Sequence, residues 1–144
     1  MISDFRGENS FLSNFYPTRV SFEGLVYLSS EAAYQAQKTI DPDFKLKFCT
    51  ISAKDAKYLG STIKIRPDWN NIKDDIMTRV VKCKFEQNNT IRKKLTDTLN
   101  DELVEENTWN DTYWGKCRGK GMNMLGKILM EVRQHFVWDD LKNM

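Results

Sequence analysis

Apolar residues recur along this chain with helical spacing in two long stretches. Ile72, Ile76, Val80 and Cys83 follow one another at steps of four, four and three, and Met77, Val81 and Phe85 widen the stripe. That pattern predicts a long helix from about Asp68 to Gln87. Leu125, Ile128, Leu129, Val132 and Phe136 define a second helical face, from about Asn123 to Phe136. Asn88-Asn89 breaks the chain between them, and Thr90 to Leu99 predicts a helix with Ile91, Leu95 and Leu99 inward. The first part of the chain has the shorter period of extended structure. Asn9 to Pro17 alternates polar and aromatic residues and predicts short strands and turns. Arg19–Phe22 and Leu25–Leu28 flank Glu23-Gly24 as a hairpin. Asp41-Pro42-Asp43 opens a helical segment to about Cys49. Ser52 caps another, which Gly60 is expected to stop. Glu102–Glu106 reads as a short strand, and Asn107–Gly121 has little periodicity.

One short helix breaks the usual rule. From Ser29 to Lys38, with a serine as N-cap, the residues on one face are Glu31, Tyr34, Gln35 and Lys38. The ordered stripe is polar, whereas Ala32, Ala33 and Ala36 lie elsewhere around the helix. Taken alone, the segment reads as a solvated helix face. Set beside the rest of the chain, it reads as a pocket wall whose alanines pack against the core.

At 144 residues the chain is expected to form one domain, spanning 1–144, with a real core. A net charge of +2 is too small for bulk nucleic-acid binding, so such a role would need a local patch. Three widely separated cysteines make neither a disulfide framework nor a CxxC metal site, which points to a reducing compartment. With His135 the only histidine, HExxH zinc chemistry is excluded. Catalysis must then rest on carboxylates, lysine, tyrosine or backbone groups. No signal pattern or long apolar run occurs, so a cytoplasmic protein without membrane attachment is expected, and no metal or cofactor.

Two carboxylates stand out. Glu31 leads a helix, where the dipole favours its ionised form. Asp111 lies between Trp109 and Trp114, where an Asx-turn is the plainer reading. A pair of carboxylates is what glycoside hydrolysis needs: one assists the leaving group, and the other stabilises the oxocarbenium or activates water. Lys38 could act as a desolvated amine on a ring-opened sugar, although lysines at helix ends commonly just favour the dipole. Trp69 could anchor the long helix or offer a stacking face. Trp114-Gly115-Lys116-Cys117-Arg118-Gly119-Lys120-Gly121 mixes cations and glycines before the last helix, where backbone N–H groups could hold a phosphate or the loop could simply be basic and flexible. Lys73, Arg79, Lys82 and Lys84 read as a solvated helix surface.

Several ordered blocks resemble the NADAR, or YbiA-like, family from about Phe5 to Phe136. They are Leu12-Ser13-Asn14-Phe15, Ser30-Glu31 through Lys38, Ala56–Gly60, Trp69 with Lys73, Lys84–Gln87, Leu103-Val104-Glu105, Asn110–Gly115, and Gly119-Lys120-Gly121 with Asn123, Leu125-Gly126 and Leu129-Met130-Glu131. The resemblance implies a compact, predominantly α-helical α+β domain with a small N-terminal β-hairpin. It also implies cleavage of N-glycosidic bonds. The implied substrate is a phosphorylated riboside: either ADP-ribose on guanine, in a nucleotide or in DNA or RNA, or a ribosylamino-pyrimidine intermediate of riboflavin synthesis. By motif position it implies catalytic roles for Glu31, Trp69, Asp111, Trp114 and Lys38, the last through a Schiff base. It places Ser13, Asn14, Phe15, Tyr34, Gly115, Lys120 and Asn123 at the substrate. The chain departs from the family at Ala32, where a histidine is frequent, and in the less glycine-rich Lys116–Arg118 loop. A non-catalytic ADP-ribose or nucleotide binder is the alternative of another class.

Overall fold

The computed structural model describes residues 1–144, whose backbone gathers into two units: Asn14–Gln87, and Met1–Ser13 with Asn88–Met144. The first unit begins with the expected hairpin. Strands β1 (Val20–Phe22) and β2 (Leu25–Tyr27) pair antiparallel with Ser21 opposite Val26. Glu23 and Gly24 both take left-handed φ values, 49° and 88°, which a two-residue turn matching the strand twist requires. Four helices follow: α1 (Ser30–Ala36), α2 (Pro42–Leu46), α3 (Ala53–Thr62) and α4 (Trp69–Glu86). Ser29, Asp41 and Ser52 cap the first three by accepting from N–H groups of the first turn. Helix α1 packs against α3, α4 and the hairpin. Gln87 ties the end of α4 to β1, accepting from Ser21 N at 2.7 Å and donating to Ser21 O at 2.8 Å.

The second unit opens with a 3-10 helix, Gly7–Leu12, where alternation predicted strands. Its apolar positions, Phe11 and Leu12, are consecutive and both buried, and a tight helical turn accommodates that better than a pleat. Helix α5 (Asn89–Thr96) is capped by Asn88 and buries Ile91 and Leu95. It ends before Leu99, which is exposed at φ 56° rather than inward. Arg133 holds the turn beyond α5, donating to Thr98 Oγ1 at 2.9 Å and to the Asp101 carbonyl at 2.8 Å. Strands β3 (Glu106–Asn107) and β4 (Lys116–Cys117) pair parallel, and Ile2 bridges Leu103. Helix α6 (Met124–Lys142) buries the whole predicted face and continues past Phe136. Arg92 of α5 reaches Asp140 at 2.7 Å and lies 4.5 Å from the Phe136 ring centroid. The architecture is predominantly helical α+β with two small two-stranded sheets.

Two further expectations on this scaffold fail. Gly60 does not stop α3; the helix runs to Thr62 with Gly60 buried inside it. Lys84 is not solvated but 1% exposed, its Nζ 5.1 Å from the Phe85 ring centroid and 5.6 Å from that of Tyr16. The apolar stripe of α4 is wide enough to take position 84 inward with Val80 and Val81. The two aromatic faces offer the amine cation–π contact there. Burial pushes the Lys84 amine down to about 7 from 10.5.

The folded chain therefore binds fewer protons at Lys84 than the unfolded chain between these two values, and this group makes stability rise with pH across that window. Tyr27, raised to about 12 by burial, acts in the opposite direction only above its unfolded value of 10.0. Denaturant unfolding of wild type and Lys84→Met between pH 7 and 9.5 is expected to show the rise in wild type and a flatter profile in the variant.

Candidate functional site

Helix α1 is the centre of the first unit's polar chemistry. All seven of its residues are buried, Glu31 at 7% exposure and Gln35 at 6%. A buried helix must have its orphan N–H groups satisfied from nearby. The Ser29 hydroxyl accepts from Ala32 N at 3.1 Å, and the Asn14 carbonyl accepts from Glu31 N at 3.0 Å. Asn14 Oδ1 accepts from the Ser30 hydroxyl at 2.9 Å, while its amide nitrogen points at Met77 Sδ of α4, 3.4 Å away. Asn14 thus supports the start of α1 through its carbonyl and its side chain. Asn14 does so with a side chain already committed to protein partners.

Glu31 leaves this start directly. Gln35, one turn on, donates its amide to Glu31 Oε1 at 2.9 Å, a charge-assisted bond that favours the carboxylate. The other end of that amide, Gln35 Oε1, is buried with no hydrogen-bond partner and lies against Gly60 of α3. A Cβ at Gly60 would run into it. Gly60 is therefore a close-approach residue. It lets α3 come near enough to α1 to leave the Gln35 amide aimed at Glu31.

Lys38 sits just beyond α1, half-buried, its carbonyl accepting from Arg66 N at 2.8 Å. Burial holds its amine below the usual lysine range, the Glu31 carboxylate works against that, and the charges of Lys57 and Lys73 add to it. A carboxylate and a partly desolvated amine thus sense one another across two turns. Tyr34 and Trp69 form an aromatic wall, ring centroids 5.1 Å apart and planes at 54°. Trp69 is nearly buried, as a helix anchor would be.

In the second unit, sequence candidates are used to build a loop. Asp111 Oδ1 accepts from Tyr113 N at 3.1 Å and from Trp114 N at 2.9 Å, an Asx-turn. Asn107 clasps the Asp111 backbone, donating to its carbonyl at 2.8 Å and accepting from its N–H at 3.1 Å. The Tyr113 and Trp114 rings meet edge to face at 4.9 Å. Gly115 is buried, and a side chain there would strike the Glu105 carbonyl and Asn107 Nδ2, so the position needs a glycine. Asn123 takes a left-handed φ of 53° and bridges backbone, accepting from Glu105 N and donating to the Leu103 carbonyl, both at 3.0 Å.

These bonds leave little for the phosphate role considered for the glycine-containing loop. The N–H groups of Met122, Asn123, Met124 and Leu125 donate to carbonyls of Thr112, Gly115, Tyr113 and Trp114. Cys117 and Lys120 exchange backbone bonds around Arg118-Gly119, both at positive φ, so this stretch is a tight turn. The side chain of Lys120 is exposed.

From the sequence alone, Gln35 falls on the polar face of α1 but has no part in orienting Glu31, and Gly60 reads as a helix stop rather than as a close approach to Gln35. No group of three or more His, Cys, Asp or Glu side chains is placed to hold a metal, and no helix is long and apolar enough to cross a membrane.

Residues 3–137 match the NADAR domain, and the chain belongs to that family. It is 35% identical over 126 residues to the N-glycosidase YbiA of Escherichia coli K12, covering 85% of this chain and 78% of that protein. An N-glycosidase of Nostoc punctiforme is 36% identical over 129 residues, covering 85% and 82%. A riboflavin biosynthesis protein of Vibrio vulnificus is 36% identical over 132 residues, which are 88% of this chain but 35% of that protein. The NMR structure of Escherichia coli YbiA superposes with a TM-score of 0.86 at 30% identity, covering 97% of this chain and 85% of the other. The chain is a hydrolase of the N-glycosidase class.

The close approach at Gly60 generates a test. Gly60→Ala is expected to displace Gln35 and destabilise the fold by ~1–3 kcal/mol, read as a lower midpoint in thermal unfolding. Gly60→Ala combined with Gln35→Ala is expected to recover part of that loss.

Proposed function

We propose that this chain hydrolyses the N-glycosidic bond of a phosphorylated riboside, with guanine carrying ADP-ribose as the leading substrate, in a nucleotide or in DNA or RNA. The observation that carries the proposal is the Glu31–Lys38 pair: a buried carboxylate oriented by Gln35, and an amine that burial makes easier to deprotonate. In this reading the sugar ring opens at its C1–O bond to an iminium between C1 and the base nitrogen, and the neutral Lys38 amine adds to C1. A carboxylate takes the proton that the attached amine sheds and delivers it to the base nitrogen, the C1–N bond to the base breaks as the Lys38 imine forms, and water then hydrolyses that imine, returning the amine and a free sugar aldehyde. Tyr34 and Trp69 wall the site. Asp111 and Trp114 enter through their family match: Asp111 as the second carboxylate, Trp114 as a stacking ring.

A second reading is favoured by the names of relatives. The Vibrio vulnificus protein and a chloroplastic protein of Arabidopsis thaliana, 33% identical over 93 residues, are both riboflavin biosynthesis proteins. A ribosylamino-pyrimidine phosphate presents a ribosyl C1–N bond too, with a phosphate monoester in place of a diphosphate, so the same C1 chemistry applies.

Purified protein is to be assayed for base release from ADP-ribosylated guanosine, ADP-ribosylated DNA, the ribosylamino-pyrimidine phosphates and NAD. The proposal expects release from the guanine substrates, and release from the pyrimidines alone would establish the second reading. Glu31→Gln is expected to lower kcat by ~100-fold or more. Asp111→Asn keeps the turn-accepting oxygen and so isolates the loss of charge. Borohydride during turnover is expected to leave a sugar adduct on Lys38. An active Lys38→Ala variant with no adduct in wild type would rule the covalent route out.

A further inference from the structure

We infer that Lys84 is a positioning residue for Glu31: its buried amine, set against the Tyr16 ring, fixes the turn that closes the start of α1. The inference rests on the reaction proposed above for its effect on turnover, but not for its geometry. Asn14, Phe15 and Tyr16 belong to no helix or strand, so no backbone ladder fixes their path. Phe15 is exposed, whereas Asn14 is buried and Tyr16 half-buried. Both of those inward side chains meet α4. The Asn14 amide nitrogen lies 3.4 Å from Met77 Sδ, and the Tyr16 ring centroid lies 5.6 Å from Lys84 Nζ. Met77 and Lys84 are about two turns apart on α4 and so lie on one face of it. One helix face therefore grips the turn at both of its ends.

What is gripped bears on Glu31 directly. The Asn14 carbonyl accepts from Glu31 N at 3.0 Å, and both Asn14 oxygens accept from the Ser30 hydroxyl, at 2.9 Å and 3.3 Å. A helix as short as α1 is not stable by itself, so its first turn follows the groups that close it. A shift of the Asn14–Tyr16 turn is thus passed to Glu31, whose carboxylate Gln35 orients from the other side. The choice of a lysine at position 84 points the same way. Its neighbours Val80, Val81 and Phe85 are all buried, and an apolar side chain among them would avoid the cost of desolvating an amine. The cation supplies what an apolar side chain lacks, a directed attraction to the faces of Tyr16 and Phe85. That attraction holds the Tyr16 ring, and with it the turn.

Amide hydrogen exchange at Glu31, whose N–H ends on the Asn14 carbonyl, reads the turn without turnover. Lys84→Met removes the charge at similar shape, Tyr16→Leu removes the ring, and Lys84→Arg keeps a cation. Far-UV circular dichroism and thermal unfolding check the fold. Lys84→Met is expected to lose protection at Glu31 by ~10-fold or more, with protection in α5 and α6 unchanged. Tyr16→Leu is expected to do the same, and the double variant to lose no more than either alone, since both remove one contact. With turnover, kcat of Lys84→Met is expected to fall by ~10-fold or more at unchanged KM, and Lys84→Arg to recover part of it. Wild-type protection at Glu31 in folded Lys84→Met overturns the inference, and so do independent, additive losses in the double variant. If Lys84→Met does not fold, Tyr16→Leu decides: unchanged protection at Glu31 overturns the inference. Lost protection in the variants of a protein that hydrolyses no riboside would leave the positioning standing and remove the proposed reaction.

Discussion

The polar chemistry of the Asn14–Gln87 unit depends on burying a short polar helix. Seven residues that include a glutamate, a glutamine and a tyrosine have been taken out of water, at a cost that only hydrogen bonding can offset. The chain meets that demand locally. Ser29 and Asn14 close the helix start, and Gln35 is bonded to Glu31 within the helix itself. The alanines keep the cost of packing low, and all three are fully buried. One acceptor, Gln35 Oε1, is left without a partner, which marks how far the arrangement favours orientation of Glu31 over complete satisfaction.

The two units use polar residues for different ends. In Asn14–Gln87, charge is conserved: Glu31 and Lys38 are held partly away from water and influence each other. In the other unit, Asn107, Asp111 and Asn123 donate to or accept from backbone and so fix a loop that has little regular structure. Those bonds are the reason a stretch with no periodicity has a defined path into α6. Two side chains that the sequence offers as candidates for catalysis or substrate binding, Asp111 and Asn123, are part of the framework of this loop.

The helices were legible because their apolar faces are regular. Leu125 through Phe136 is buried as the spacing requires, and the hairpin follows from Glu23-Gly24. The errors share a cause. Gly60 looked like a helix stop, Lys84 like a solvated lysine and Phe11-Leu12 like strand, because each is decided by a partner distant in sequence or by tertiary packing. Gly60 is fixed by Gln35, and Lys84 by the rings of Tyr16 and Phe85. Glu31 and Lys38 read as one face of a helix running to Lys38, but α1 ends at Ala36 with Lys38 just past it, and the face alone did not reveal its burial. Lys57 and Lys73 lie on other helices, so no local pattern joins them to Lys38.

The central claim is that Glu31 and Lys38 form one electrostatic unit in a partly desolvated setting. The most direct measurement is the pKa of the Lys38 amine, followed by side-chain NMR in wild type and in Glu31→Gln. The account predicts a value below the usual lysine range in wild type and a further fall when the carboxylate is removed, since Glu31 raises it. An ordinary lysine value that does not respond to Glu31→Gln would contradict the account.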